Sequence, residues 1–213
     1  MYFAIRRVID TIIAGIGLII VSPLLLILAI AVKVDSKGPA IFKQERIGKD
    51  FKTYKMFKFR SMVENAQNMG TGVYSFAGDP RITKVGRFLR KTSLDELPQL
   101  WNIVKGDMAF VGPRSPVVGH FPKYEDLNEA YKRRFTVLPG ITGLAQVTGR
   151  NELAWDEKVK YDNIYIDKVK KYGILYDIKM WFLTFVRVFS MKDVEETQEN
   201  MEKNKESMGM DNK

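Results

Sequence analysis

The chain has 213 residues, no cysteine and a single histidine. Without cysteine there is no disulfide framework, no thiolate nucleophile and no Cys-based metal site, which fits a reducing compartment. The lone His120 excludes a multi-His zinc site. It precedes Phe121-Pro122 in an expected loop and reads as an ordinary surface residue. No internal repeat is present. Acidic residues are outnumbered, 25 against 34 lysines and arginines, for a net charge of +9. Residues 191–213 carry net −3, which leaves +12 for residues 1–190. An excess of that size implies an anionic partner: lipid headgroups, nucleic acid or phosphorylated substrates. The cations are spread through the chain and no zinc or RNP-type motif accompanies them, which argues against nucleic acid. The length supports one sizeable core and requires no second domain.

What is present begins with an uncharged run, Thr11–Val32. As a helix it would reach about 33 Å, enough for a bilayer core of about 30 Å. No convincing cleavage site follows, so the run is expected to remain in the mature protein. Ser22-Pro23 sits at its middle. Pro23 removes the bond to the Ile19 carbonyl, which predicts a helix-break-helix, and the Ser22 hydroxyl can serve a freed carbonyl one turn back. Basic residues flank both ends: Arg6 and Arg7 before, then Lys33, Lys37, Lys43, Arg46, Lys49 and Lys52. Positive-inside reasoning puts both ends in the cytoplasm, describing a segment that dips in and returns. A Pro-kinked span with a short tail outside fits as well. Under either reading everything from Lys33 onward is cytoplasmic.

Beyond Gly38-Pro39, Ala40–Arg46 and Phe51–Arg60 read as a hairpin turning at Ile47–Asp50. Lys58 and Arg60 share one face of its second strand with Lys52, Tyr54 and Met56. Such a face is solvated, or beside a membrane segment it binds headgroups or phosphate. Residues 61–78 read as a polar loop. Arg81–Lys91 and Tyr124–Phe135 read as helices. Leu138–Arg150 is rich in glycine and turns, so its backbone can approach a ligand closely. Asp156–Lys171 is a polar helix facing inward with Val159, Ile166 and Val169. Ile174–Phe189 is apolar, either a core helix or one lying in the membrane interface. Residues 191–213 lack aromatics and are expected to be disordered.

The chain turns on Lys91–Pro116. Leu94, Leu97, Leu100, Trp101 and Val104 recur at helical spacing, and Gly106 is a stop. Asp95 and Glu96 stand where this helix begins, with Arg87, Arg90 and Lys91 upstream and Gly112-Pro113-Arg114 downstream. Carboxylates ringed by cations at a helix start suit a phosphate-bearing ligand and Mg²⁺ held against its phosphates. Ser93-Leu94-Asp95-Glu96 also matches a capping box, and local pattern alone favours that reading. Pro98 weakens it slightly, because with Ser93 as N-cap its missing N–H would cost a bond.

Taken together, Ser22-Pro23, Gln44-Glu45-Arg46-Ile47-Gly48, Lys58–Met62, Thr92–Gln99, Lys105–Met108, Val111–Arg114 and Pro139–Asn151 with Trp155 resemble the bacterial sugar transferases that act as small monotopic phosphoglycosyl transferases. The resemblance covers about residues 1–190, and its long SLDELPQLWN…KGDM…VGPR run is specific enough to reverse the preference for capping. Many relatives carry a proline where this chain has Ser115. The resemblance implies an α+β, mainly α fold in three parts: a re-entrant membrane segment at 1–35, a compact cytoplasmic catalytic domain at 36–190 lying on the membrane surface, and the tail. It implies transfer of sugar 1-phosphate from a UDP-sugar to polyprenyl (undecaprenyl) phosphate with release of UMP, at the cytoplasmic face of the bacterial inner membrane. It further implies Asp95 as nucleophile, Glu96 as its partner, Mg²⁺ at the pair, and Arg114, Arg90, Arg150, Lys58 and Arg60 as substrate-binding groups. The alternative is a non-catalytic, basic, membrane-anchored binding or scaffold protein. Which sugar is used and the oligomeric state are not legible.

Overall fold

The computed structural model describes residues 2–72, 75–76, 78–119, 121–149 and 153–190. His120, Arg150 and the 191–213 tail lie outside the described residues. The longest element is α1, Tyr2–Asp35, the one described helix long and apolar enough to cross a membrane. The break expected at Ser22-Pro23 is not an interruption: Pro23 lies inside one continuous helix. The Ser22 hydroxyl donates to the Ile19 carbonyl at 2.8 Å, the group that Pro23 leaves without its helical donor.

The hairpin is present as β1 (Ile41–Ile47) and β2 (Thr53–Phe59), antiparallel, with Lys58 opposite Phe42 and Tyr54 opposite Arg46. α2 (Lys84–Thr92) follows the polar loop, capped by the Thr83 side chain. Leu94–Glu96 is a 3-10 turn and leads into α3 (Gln99–Lys105). Gly106 closes α3 in the left-handed conformation, φ 96°, as a helix stop requires. β3 (Ala109–Val111) and β4 (Gly140–Thr142) form a short parallel pair that the sequence pattern did not reveal. The glycines here serve that pair. A Cβ on Gly140 would stand 2.1 Å from the Gly112 nitrogen, so the close approach at this glycine is backbone to backbone.

The helix expected over Tyr124–Phe135 is divided. Leu127 and Asn128 are extended, and the Asn128 side chain caps a new short helix, α4 (Glu129–Arg133). α5 is Leu144–Thr148. α6 (Trp155–Tyr172) buries Val159, Ile166 and Val169 as expected. α7 (Ile174–Ser190) is not a core helix: Leu175, Ile178, Phe182 and Phe185 are exposed, while Met180 is fully buried.

α1 runs along this body and is bonded to it near both ends. Arg6 reaches the Tyr165 hydroxyl at 2.9 Å, the Asp177 carboxylate at 3.0 Å and the Val111 carbonyl. Arg7 donates to the Ile103 and Val104 carbonyls at the end of α3, where a cation suits the free C=O groups. At the other end, Asp35 accepts from the Val85 amide in the first turn of α2 at 2.8 Å, and Arg60 donates to the Ser36 carbonyl at 2.6 Å. Between these ends Ala14 packs with Met56 and Ile103, and Leu28 and Val32 pack with Phe59 and Leu89. The opposite side of α1 exposes Ile12, Ile16, Ile19, Ile20, Ile27 and Ile30.

Candidate functional site

The local fold first decides between capping and chemistry. Ser93 has φ 57° and closes α2, its amide bonding the Arg90 carbonyl, and its side chain makes no cap bond to the following turn. No capping box forms. With the 3-10 turn ending at Glu96, Pro98 falls just before α3, where its missing N–H costs little. The turn is held from outside: Leu94 and Leu97 pack against the cluster of Leu28, Val32 and Phe59. The predicted apolar stripe therefore faces α1, though Trp101 remains half exposed.

So placed, Asp95 is 8% exposed and lines a cavity of about 420 Å³. Glu96, Lys58, Arg60, Arg90, Arg114 and Arg46 line the same cavity, with the loop residues Asn65, Gln67 and Ser75. Lys58 Nζ donates to Glu96 Oε1 at 2.7 Å, and Arg114 Nη1 stands 3.9 Å from that oxygen. The face of β2 read as solvated or phosphate-binding is therefore turned inward at Lys58. Burial pushes the Lys58 ammonium below its ordinary value, against the pull of Glu96 and Asp95.

Arg90 donates to the Ser61 and Ser75 hydroxyls at 2.8 and 2.5 Å, tying α2 to the loop. Arg81 organises that loop: it pairs with Asp79 and donates to the carbonyls of Ala66, Met69 and Gly72. Arg60, 6% exposed, is committed through Nη2 to the end of α1, while its Nε and Nη1 find no acceptor among the described residues.

Arg46 was not among the site residues that the sequence pointed to. Its guanidinium bonds Gln44 Oε1 at 2.6 and 2.9 Å and the Ser115 carbonyl at 2.7 Å. Burial first, then the Arg114 charge, lower it to about 10. The signal was available: Arg46 pairs with Tyr54, which shares a strand face with Lys58. Arg114 is aimed from behind by Arg134, which donates to the Arg114 carbonyl at 2.7 Å and pairs with the buried Asp162 at 2.9 Å.

Two adjacent carboxylates stand within a ring of four arginines and a lysine, a charge pattern that suits a phosphate-bearing ligand. The bacterial sugar transferase profile matches residues 1–191. The chain belongs to the bacterial sugar transferase family. It is 44% identical over 88% of its length to a UDP-glucose:undecaprenyl-phosphate glucose-1-phosphate transferase of Klebsiella pneumoniae, and 43% identical to a protein of the same name from Escherichia coli K12. An undecaprenyl-phosphate galactose phosphotransferase of Salmonella typhimurium is 41% identical over 84% of the chain. The chain spans about two fifths of the length of these relatives, covering 40%, 41% and 39% of them.

No group of three or more metal-ligating side chains occurs among the described residues. Two hard carboxylates nevertheless match the way Mg²⁺ is commonly held, by one or two protein oxygens together with substrate phosphates.

The Lys58 shift gives a pH test. A lowered folded value means that the charged form is disfavoured in the fold; stability is gained above the ordinary value of 10.5 and lost as pH falls through the folded one. The cation is thus lost at lower pH than from a surface lysine. UDP binding, followed calorimetrically between about pH 7 and 10, is expected to weaken with rising pH. Lys58→Met is expected to bind UDP about tenfold more weakly at neutral pH, the loss of one charge-assisted bond, and to show a flatter profile.

Proposed function

We propose that this chain transfers sugar 1-phosphate from a UDP-sugar to polyprenyl phosphate, giving a polyprenyl-diphosphate sugar and UMP, the first membrane step in assembling a bacterial glycoconjugate. The observation that carries this reading is Asp95 on the wall of a cavity ringed by Lys58, Arg46, Arg60, Arg90 and Arg114, in a chain of the sugar transferase family. The names of its relatives supply the substrate classes.

The chemistry follows from charge. A carboxylate attacking a diphosphate is repelled, and the surrounding cations reduce that repulsion in a site shielded from water. An Asp95 carboxylate oxygen bonds to the sugar-side phosphorus. The bond from that phosphorus to the bridging oxygen breaks, and UMP leaves with the electron pair. Asp95 then carries an acyl phosphate ester of the sugar, splitting one hard transfer into two. An oxygen of polyprenyl phosphate attacks the same phosphorus, the acyl phosphate bond breaks, and Asp95 is a carboxylate again. Glu96 accepts the proton that the acceptor phosphate loses. Asp95 and Glu96 would hold Mg²⁺, which when bound supplies charge neutralisation on the phosphates.

Two lines support a segment that enters the membrane and returns, with the body on the cytoplasmic face of the inner membrane. Arg6 and Arg7 near one end of α1, and Asp35 at the other, bond to one and the same body. With both sets of bonds made, neither end of α1 is free to cross to the far side of the bilayer from the body. The exposed apolar faces of α1 and α7 suit burial in lipid and its interface. On this reading the carboxylate pair would stand at the depth of the lipid phosphates.

The direct test is UMP release from a panel of UDP-sugars with undecaprenyl phosphate and Mg²⁺. At least one sugar is expected to turn over, and Asp95→Asn is expected to abolish release while leaving the fold intact, since Asn carries no attacking anion. Glu96→Gln is expected to be badly slowed. Silence across the whole panel would favour a non-catalytic, membrane-anchored binding protein. Topology has its own measurement: cysteines placed at Tyr2 and Ser36 are expected to label from the cytoplasmic side only, and periplasmic labelling at Tyr2 would establish a full span.

A further inference from the structure

A second cavity, about 160 Å³, meets the first at Glu96 and Arg114, which line both. Leu97, Leu100, Ile141 and Val147 give it an apolar wall. Two threonines in that wall, Thr142 and Thr184, bond each other at 2.6 Å, and Thr184 also bonds the Met180 carbonyl, so their hydroxyls are engaged within the wall. Ser93, Gln146 and Arg187 complete the lining, but its surface is mainly apolar, which complements neither the many hydroxyls of a sugar nor a uracil ring with its amide edge. The size is equally selective. A dry cavity of about 150 Å³ accepts a six-carbon ring, so this one suits a five-carbon branched unit and is too small for a nucleotide.

Its position favours a lipid. Leu100 lies against α1, where a Cβ on Gly17 would be 3.7 Å from its Cδ1. Thr184 belongs to α7, which turns Trp181, Phe182 and Phe185 outward. The cavity is therefore walled by two elements whose outer faces are apolar, and it ends at an arginine and a carboxylate. That pattern complements an amphiphilic anion: an apolar chain with a phosphate at its tip.

We infer that this cavity holds the isoprene unit nearest the phosphate of polyprenyl phosphate, placing that phosphate at Arg114 beside Glu96, while the larger cavity takes the UDP-sugar. Donor and acceptor then lie on either side of Glu96, and Asp95 opens to the donor side. The inference rests on the transferase reading above, which fails separately if the wild-type protein releases no UMP.

The test uses the full chain in detergent. Val147→Phe fills the cavity from a residue that does not line the larger one. It is expected to raise the KM for undecaprenyl phosphate about tenfold, a loss of roughly 1.4 kcal/mol of binding, with the KM for the UDP-sugar changed less than about twofold. Where that variant fails to fold, the wild type carries the test: a polyprenyl phosphate bearing a diazirine on its first isoprene unit is expected to label peptides covering 141–147 or 180–187. An active wild type whose label falls on the hairpin or on residues 61–72, or an active Val147→Phe with unchanged acceptor KM, would overturn the assignment.

Discussion

The Lys58–Glu96 ion pair is the contact on which the rest of the site depends. A phosphate receptacle needs cations gathered in one place, and gathered cations repel each other and lose hydration. Removing one member of a buried pair costs about 3–5 kcal/mol, so such a cluster persists only where its charges are paired or hydrogen-bonded. Glu96 provides one for Lys58 at 2.7 Å and stands within 3.9 Å of Arg114. The other arginines are held by neutral acceptors: Gln44 and the Ser115 carbonyl for Arg46, two serines for Arg90, and the end of α1 for Arg60. This leaves Asp95 among positive charges while its neighbour is engaged with Lys58. One carboxylate keeps the cluster together, and the other lines the cavity beside it.

The same cations tie the carboxylate pair to α1. Arg60 contributes to the cavity wall and also donates to the carbonyl that follows α1. Leu97 and Leu100, on the segment that carries Glu96, are packed through α1. The position of the carboxylates relative to α1 is thus set by short contacts and not by a flexible linker. Preorganisation of this kind lowers the barrier by positioning as well as by charge.

Much of this was legible in the residues. Alternation located the hairpin, helical periodicity located α2, α6 and α7, and Gly106 marked the end of α3. Asp95, Glu96, Lys58, Arg60, Arg90 and Arg114 converge on one cavity although they lie on four separate stretches of chain. Other features escaped for physical reasons. Strands of three residues, such as β3 and β4, are too short to show a period, and their pairing is enforced by the tight packing of Gly112 and Gly140. Tyr124–Phe135 has helical periodicity, but Asn128 competes with the backbone and restarts the helix. Pro23 predicts a break on local grounds. The continuous α1 shows that a lost bond can be offset by one hydroxyl and by contacts with the body along its length. Arg46 reads in the sequence as one of the cations flanking the apolar run, and only its pairing with Tyr54 puts it on the side of Lys58.

The central claim is that Asp95 attacks first and holds the phosphosugar before the lipid arrives. It is tested most directly by incubating the wild-type protein with UDP-sugar and Mg²⁺ in the absence of polyprenyl phosphate, then measuring UMP and the mass of the peptide that carries Asp95. The account predicts a burst of no more than one UMP per enzyme and a mass increase of one sugar phosphate on that peptide. An enzyme active with acceptor that gives no UMP and no adduct without it, with strictly ternary kinetics, would contradict the account.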